Sequence, residues 1–505
     1  MKYIFKIAII ALGLTFSSCG KSFLEKYDPT QLNATTFYKT EKQVEQAVNG
    51  TYSELQNLIR NQWAFTEYIS DNTTLHFNIG DRGQGPSLEA IEYWQINPST
   101  DNITNWYNLI YSGLGNINTV LAKLSKTDLT DAVKSNFEGQ LKFIRAFYYF
   151  QLVQGFGEVI IVTEPIKSPA EAYTYARSPV AEVYALIESD LAFAVSSLPD
   201  HASIGASNIG RVSKGAALSL LGKVYLTKKQ YTEAVSTLKQ VLPMGYNLMT
   251  NYADVFDPAK KNNSESVFEV QFQADSEIGE WSGFLDTFYP RESYGAVVKF
   301  PNANGGGWNI PTLDIIGAYE TGDLRKAVSL KEGYTNLQGI YVPVPFISKY
   351  YHPESYTIKG RQGDNWPVIR YADVLLMLAE AINEQSGPTG ETFGYLNQIR
   401  QRAGLNPLSG LNKDLFRTAV LQERRIELAF ENHRWYDLKR TMSPAGLATF
   451  LNANGEFERS HPSTDRGGIP FSAGDYKFEP YEALFPIPAN EILINKNLTQ
   501  NEGYK

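Results

Sequence analysis

The sequence has very little cysteine, with one residue, Cys19, among 505. A single cysteine excludes an internal disulfide and any zinc site built from several thiolates. Positive charge is in the minority, because 46 lysines and arginines face 54 aspartates and glutamates for a net charge of −8. Nucleic-acid binding needs a positive surface, so this balance argues against it. Beyond the N-terminus no apolar run reaches the length of about 18 residues that a membrane-spanning helix requires.

Aromatic residues are plentiful, at 13% of the chain, and the 31 tyrosines outnumber the 27 phenylalanines. Hydrophobic residues at 43% and charged residues at 20% are typical of a globular protein. Tyrosine joins an apolar ring to a polar tip, which suits a hydrated binding surface. An aromatic-rich core would explain the same composition, so the two interpretations stay open at this point.

The N-terminus has the three parts of a secretory signal. Lys2 and Lys6 precede the apolar run 7–16, and two serines then lead to Cys19. The run is too short to span a bilayer. The position of the lone cysteine resembles the lipobox of a bacterial lipoprotein, so we expect residues 1–18 to be a signal peptide and Cys19 to be lipidated. An ordinary secretory signal with a chance cysteine is the alternative.

Helical periodicity of apolar residues predicts four helix pairs in the rest of the chain. The clearest is a match to the tetratricopeptide pattern, in which Leu218-x2-Leu221-Gly222-x2-Tyr225 is followed by Ala234-x3-Leu238. Small residues in this pattern let two antiparallel helices approach closely, and Ser213 is placed to cap the first helix. A single helix is also expected from Asp414 to about Arg440. The paired segments are 43–59 with 106–124, 137–153 with 180–198, 218–225 with 234–238, and 370–384 with 392–403.

Long interruptions rich in glycine, proline, asparagine and aromatic residues separate these pairs. Loops of this length are uncommon unless they are functional or contain structure of their own, and 267–272 alternates as a strand would. We therefore predict one mainly α domain over 19–505, a scaffold of tetratricopeptide-like helix pairs with a loop-rich face carrying small β elements. The scaffold covers about 40–60, 101–154, 179–243 and 368–440, and the loop-rich insertions cover 61–100, 245–367 and 442–480.

Motifs of catalysis and of cofactor binding are missing. The five histidines include no pair at the spacing of a zinc-protease helix, and no dinucleotide fingerprint or P-loop occurs in the body of the chain. The segment 205–210 is one residue too long for a nucleophile elbow. His433 is best interpreted as a hydrogen-bonded structural histidine. We expect no enzyme activity, no cofactor and no catalytic metal.

Several long motifs, in the right order, run from Cys19 to the C-terminus and closely resemble the SusD/RagB family of outer-membrane nutrient-binding lipoproteins. Upstream they include the segments 143–149 and 211–217. Within 422–440, acids and bases at helical spacing predict ion pairs, and Leu428, Trp435 and Leu438 are expected in the core. The remaining motifs are Phe23-Leu24-Glu25, Gly155-Phe-Gly157, Pro311-Thr312, Gly322-Asp323-Leu-Arg325, Ile369–Asn383, Leu396–Gly404 and Phe485–Ile492.

The resemblance implies a protein that binds oligosaccharides or other nutrients without hydrolysing them. It also implies a lipid anchor in the outer membrane facing the cell exterior, and a SusC-like TonB-dependent transporter as partner. Capture of peptides or another non-glycan nutrient stays open, as do a purely structural lid and, as the enzymatic alternative, a surface glycosidase.

Sugars present C–H faces to aromatic rings and hydroxyl edges to polar side chains. The loops that mix both kinds of residue are therefore the candidate glycan-binding segments. Each tryptophan in them could instead cover the scaffold or face a partner, and Trp308, which follows three glycines, is expected to be framework. The candidates for contact with a glycan are Trp63, Asp71, Asn72, Arg82, Trp94, Trp281, Tyr289 and Arg291.

Overall fold

The computed structural model describes residues 37–77, 85–462, 466 and 468–504, so Cys19, Arg82 and the expected signal peptide lie outside the described residues. The described chain is mainly α-helical, as predicted. Its helices are α1 (Glu41–Thr66), α2 (Gly85–Glu92), α3 (Asp101–Leu124), α4 (Asp131–Phe156), α5 (Pro169–Ala172), α6 (Val180–Ser197), α7 (Lys214–Thr227), α8 (Tyr231–Leu238), α9 (Phe284–Phe288), α10 (Leu313–Ala318), α11 (Lys326–Ser329), α12 (Tyr371–Ser386), α13 (Gly390–Arg402), α14 (Lys413–Glu427), α15 (Arg434–Thr441), α16 (Pro444–Ser460) and α17 (Ala489–Ile494).

The strands are short and form four antiparallel pairs, β1 with β3, β2 with β8, β4 with β7 and β5 with β6. The longest pair includes the strand predicted near 267–272, and it joins the loop-rich part to the start of α12. The strands are β1 (Thr73–Thr74), β2 (Ser266–Val270), β3 (Ile310–Pro311), β4 (Leu330–Lys331), β5 (Tyr334–Thr335), β6 (Tyr341–Val342), β7 (Phe346–Ile347) and β8 (Trp366–Arg370).

The long helices pack side by side in a row, which is the predicted scaffold. α1 contacts α3, α3 contacts α4, α4 contacts α6, and the row continues through α7, α8 and α12 to α13 and α14. Each repeat of such an array covers the apolar face of its neighbour, so one continuous core results. The four predicted helix pairs are therefore confirmed, although most helices extend several residues beyond the periodic segment.

Local signals in the sequence begin several of these helices. The Thr40 side chain accepts from the backbone N–H of Gln43, whose own side chain returns to Thr40, forming a capping box for α1. Ser213 caps α7 as predicted, and it accepts from Ala216. These bonds satisfy N–H groups that have no partner inside the helix.

The tetratricopeptide-like pair α7 and α8 depends on a glycine. A Cβ atom built on Gly222 would lie 2.4 Å from the Cγ of Leu238, much closer than two carbon atoms can approach. Leu238 and Ala234 are fully buried between the helices. The predicted role of the small residue, to allow a close helix crossing, is thus confirmed.

The single helix predicted over 414–440 is wrong, because the structure divides it into α14 and α15. Phe430 and Asn432 adopt left-handed backbone angles, φ 66° and 68°, and the chain reverses there. The Phe430 carbonyl accepts from the Tyr350 hydroxyl at 2.9 Å, and the Asn432 N–H donates to Glu67 at 2.8 Å. No glycine or proline in the sequence indicates this corner. Hydrogen bonds with residues that are distant in the chain stabilise it instead.

The prediction of a loop over 442–480 is also wrong in part, because it contains α16. Ser443 caps this helix and Pro444 occupies its first position, which are favourable signals for a helix start. Only a narrow apolar stripe, with Leu447 and Leu451 buried, faces the core. Gly446 and Gly455 lie in this segment, and glycine is a poor helix former, so the sequence gives only a weak helical signal here. Likewise, the predicted insertion 61–100 contains the end of α1 and the short helix α2.

The charged side chains of α14 include an ion pair along the helix, Asp414 with Arg417, and a buried network within the bundle, as the sequence predicted. Glu427 contacts Arg325, Arg370 and Arg402, all nearly inaccessible to solvent. Burial opposes the ionisation of Glu427, but these three guanidinium groups hold its pKa well below its ordinary value. Leu428, Trp435 and Leu438 are buried in the core as expected.

His433 is half-buried in the same region and has a side-chain partner, as the structural interpretation predicted. Its Nδ1 lies 3.2 Å from the Nζ of Lys223. Burial, and then the positive charge of Lys223, lower the pKa of His433 to about 3. The ring is therefore neutral throughout the physiological range. Its contact with Lys223 joins the start of α15 to α7, which is a structural role.

Candidate functional site

The candidate site lies on the loop-rich side, around the short helix α9. Phe284 and Phe288 are buried and anchor the helix on an aromatic layer that includes Trp63 and Trp366. Trp281 precedes α9 and Arg291 follows it. The helix is about 7.5 Å long, because each of its five residues adds about 1.5 Å.

The segment 305–308 runs directly against α9 and requires glycine to do so. A Cβ atom on Gly305 would lie 2.2 Å from the carbonyl oxygen of Tyr289. The backbone N–H groups of Gly307 and Trp308 donate to the carbonyls of Tyr289 and Thr287, at 2.8 and 3.1 Å. The three consecutive glycines therefore bring Trp308 against α9, where it is buried in the core, as expected for a framework residue.

Trp281 is half-buried and lies just before α9. The guanidinium carbon of Arg60 lies 4.9 Å from the centre of its ring, and Arg60 Nε donates to the Trp281 carbonyl at 2.9 Å. The cation holds the loop against α1 and orients the indole. Arg60 was not among the predicted residues, because its helical position gives no sign that it reaches residue 281.

Arg291 is half-buried and lies just after α9. Its guanidinium carbon lies 4.9 Å above the ring of Trp308, and Nη2 donates to the Gly306 carbonyl at 2.9 Å. The backbone N–H of His76 donates to Gly307 at 2.8 Å, so β1 and the residues after it adjoin the same edge. The Arg291 guanidinium group, the Trp308 indole and the His76 side chain thus lie around the same glycine segment.

The other described candidates are buried and have partners inside the protein. Asp71 accepts two hydrogen bonds from Arg434, each 2.7 Å long, and lies 2.9 Å from Arg425. Burial opposes its ionisation, but these two arginines keep the pKa of Asp71 below its ordinary value. The amide of Asn72 bridges Arg425 and Glu67. Both residues connect β1 to the α14–α15 corner.

Three aromatic candidates are likewise in the interior. Trp63 donates Nε1 to the Arg60 carbonyl at 2.9 Å, and Trp94 donates Nε1 to the Ile69 carbonyl at 3.1 Å. Tyr289 is only 1% exposed, and burial raises the pKa of its hydroxyl well above the ordinary value. Of the eight predicted residues, Trp281 and Arg291 are the two that the structure describes as half-buried rather than buried. Contact of any of the eight with a glycan stays a prediction.

In the part of the chain that the structure describes, no helix is long and apolar enough to cross a membrane. Among the same residues no group of three or more histidine, cysteine, aspartate or glutamate side chains could hold a metal ion.

Comparison with known proteins gives consistent matches over almost the whole chain. The model of the SusD family matches residues 331–504, and a SusD-like model described as "Starch-binding associating with outer membrane" matches residues 22–226. SusD-like protein P2 of Formosa agariphila is 28% identical over 540 residues, covering 99% of both chains. The starch-binding protein SusD of Bacteroides thetaiotaomicron is 23% identical over 498 residues, covering 83% of this chain and 84% of that one.

Solved structures agree with this result. A laminarin-binding SusD-like protein has a TM-score of 0.75 and 27% identity, with 92% of this chain and 100% of that chain covered. A SusD superfamily protein from Parabacteroides distasonis has a TM-score of 0.76 and 26% identity, with coverage of 94% and 100%. The architecture of this chain is therefore shared along nearly its full length.

Proposed function

The chain belongs to the SusD/RagB family, and from that premise we propose that it is a cell-surface lipoprotein that binds a glycan and delivers it to a SusC-like TonB-dependent transporter without chemical turnover. Cys19 would carry the lipid and hold the protein at the outer membrane. Starch and laminarin are the glycans named for two of its relatives, which supports a polysaccharide or oligosaccharide as the ligand here. The identity of the sugar depends on the loops, because proteins that share a fold differ in their sites.

The observation that carries this proposal is that Trp281 and Arg291, before and after α9, are both half-buried and so leave part of an indole and of a guanidinium group accessible. The indole offers a flat apolar surface to the C–H face of a sugar ring, and the guanidinium group donates hydrogen bonds to hydroxyl oxygens. Trp308 adds a second ring beneath Arg291. These elements rest on a rigid aromatic layer, so little side-chain freedom is lost when a ligand binds.

The test is retardation of the purified protein in native gels that contain single polysaccharides. A form that begins at Lys21, and so lacks Cys19, avoids the lipid. Gels cast with laminarin, starch and a range of other glycans are compared with a gel without polysaccharide. We expect one glycan to retard the protein, and Trp281→Ala to weaken that binding at least tenfold, or about 1.4 kcal/mol.

A matched control is Tyr173→Ala. Tyr173 is also an exposed aromatic residue, 44% accessible, but it lies on a segment that contacts the C-terminal residues through Asn497. This variant should bind like the unmodified protein. Equal retardation of the Trp281→Ala variant would contradict the placement of the site. Binding of peptides but no glycan, or hydrolysis of the retarding polysaccharide, would contradict the proposed function itself.

A further inference from the structure

The loop between β7 and β8 carries a histidine that the proposed function has not used. His352 Nδ1 lies 2.5 Å from Oδ1 of Asp364. The Asp364 side chain is 2% exposed, whereas that of His352 is 26% exposed. The pair therefore closes the loop at its base, with the acid in the interior and part of the imidazole ring open to solvent.

The accessible edge of this ring bears Nε2. Nδ1 is directed towards the buried acid, and Nε2 lies on the other side of the five-membered ring. Among the described residues Nε2 has no hydrogen-bond partner, and unlike Oδ2 of Asp364, which also lacks one, it is not buried. His352 thus presents a polar atom to solvent that the described part of the protein does not use.

Asp364 determines which nitrogen of His352 carries the proton. A carboxylate oxygen accepts hydrogen bonds, so Nδ1 bears the N–H in the neutral ring. Nε2 then carries the lone pair, because the bond made by one ring nitrogen sets the role of the other. The same contact fixes the orientation of the ring. Nε2 is therefore a hydrogen-bond acceptor whose direction is set before any ligand arrives.

The His352 loop packs against the segments on both sides of α9. Tyr351 contacts Tyr289, which directly follows α9, with ring centres 5.1 Å apart. On the other side of the helix, the backbone N–H of Ser282 donates to the carbonyl of Gln362 at 2.8 Å. The loop that carries the histidine is thus in contact with the part of the chain that bears the proposed glycan-binding residues.

The chemistry of the proposed site indicates what Nε2 would bind. The Arg291 guanidinium group and the Trp281 indole N–H are donors only, whereas a sugar hydroxyl both donates and accepts. A ligand rich in hydroxyl groups therefore also requires acceptors, and Nε2 is one. A metal ion is not indicated, because among the described residues no group of three or more suitable side chains could hold one.

We propose that His352 is a glycan-contacting residue, whose Nε2 accepts a hydrogen bond from a sugar hydroxyl, and that Asp364 is its positioning residue. This inference rests on the proposed glycan-binding function and adds an oriented acceptor to the stacking surface of Trp281 and the donors of Arg291.

Two substitutions of His352 separate the contact with the ligand from the contact with Asp364. In His352→Asn the amide nitrogen takes the place of Nδ1 and keeps the bond to Asp364, but nothing replaces Nε2. In His352→Gln the longer side chain brings its amide to the position of Nε2 and offers its carbonyl oxygen to the ligand. His201→Asn is the matched control, because His201 is also half-buried but packs on Tyr246 in the helical scaffold.

Full-length protein in detergent is titrated calorimetrically with laminarihexaose, with maltohexaose and with any other glycan that retards it in the gels. We expect His352→Asn to weaken binding about fivefold, because one hydrogen bond to the ligand is lost. His352→Gln should weaken it less than about twofold, and His201→Asn should leave it unchanged.

Diethyl pyrocarbonate provides a measurement that needs no variant. It acylates the unprotonated nitrogen of an accessible imidazole, with release of ethanol and carbon dioxide, and mass spectrometry of peptides locates the ethoxycarbonyl group. We expect His352 to react in the free protein. A saturating concentration of the glycan should protect His352 and leave the reactivity of His201 unchanged.

The two measurements distinguish failure of this inference from failure of the proposed function. Glycan binding that His352→Asn does not weaken, and that does not protect His352 from acylation, would overturn the inference and leave the proposed function intact. Equal weakening by His352→Asn and His201→Asn would also overturn it. Absence of binding by every glycan tested would overturn both.

Discussion

Arg370 and Glu427 form a buried ion pair, in which Nη1 lies 3.0 Å from Oε1 although the residues are 57 positions apart. The pair joins the end of β8 to the end of α14. Glu427 also contacts Arg325 at 3.1 Å. The acid therefore lies at the point where the loop-rich part and the helical scaffold meet.

We expect Glu427→Gln to lower the free energy of unfolding by about 3 kcal/mol or more. The substitution keeps the shape of the side chain but leaves buried guanidinium groups with too little negative charge around them. Chemical denaturation measures the change. Glu391→Gln is the control, because its pair with Lys239 is 43% exposed at both side chains and should contribute less than about 1 kcal/mol. Equal effects of the two substitutions would contradict this account of the network.

We expect Gly222→Ala to destabilise the α7–α8 pair by about 1–3 kcal/mol, since the added Cβ atom would overlap Leu238. The same change at Gly394 should be neutral or stabilising, because alanine favours a helix and the space there is open. Combining Gly222→Ala with Leu238→Ala should cost less than the sum of the single changes. Strict additivity in thermal or urea unfolding would show that the two residues do not compete for space.

The contribution of Glu67 to the stability of the protein should fall as pH rises above about 5. Burial raises its pKa from 4.5 to about 7, although hydrogen bonds from Asn72 and Asn432 lower it. Between these values the folded chain holds a proton that the unfolded chain has lost, so folding is favoured at the acidic end and this contribution disappears through pH 7.

For this residue the expected loss between pH 5 and pH 8 is about 2 kcal/mol relative to Glu67→Gln, which cannot ionise. Urea unfolding of both proteins across that range measures the difference. A constant difference at every pH would mean that Glu67 is ionised in the folded protein.

We expect Asp71→Asn to lower the stability of the protein and Trp281→Ala to weaken glycan binding, because Asp71 belongs to the framework and Trp281 to the proposed binding surface. Removal of the Asp71 charge leaves the buried guanidinium groups of Arg434 and Arg425 with less negative charge nearby. We therefore expect the free energy of unfolding to fall by about 3 kcal/mol. Trp281→Ala, at a half-buried loop position, should change stability by about 1 kcal/mol or less but weaken glycan binding. Asp414→Asn, whose side chain is 85% exposed, is the control for removing an acid. A stable Asp71→Asn variant that no longer binds glycan would place Asp71 at the ligand instead.

The sequence was most informative where local rules and long-range packing agree. Ser213 caps α7, Gly222 lies at a close crossing and Leu438 fills the core, as predicted. It was least informative at the corner between α14 and α15. There Phe430 takes a left-handed conformation that a bulky residue disfavours, Asn432 takes one that asparagine tolerates, and the contacts with Tyr350 and Glu67 come from distant parts of the chain.

The aromatic residues of the loops show the same division. Trp63 and Trp281 both occur in polar, loop-like sequence, yet the first packs beneath α9 and the second lies partly exposed beside it. Arg60 reaches the Trp281 carbonyl across 221 residues, which no periodicity reveals. The sequence by itself determined the helical scaffold and the family, because periodicity, caps and motifs are local properties. Only the tertiary structure decided which rings are buried and which stay partly exposed, because burial depends on residues that are distant in the chain.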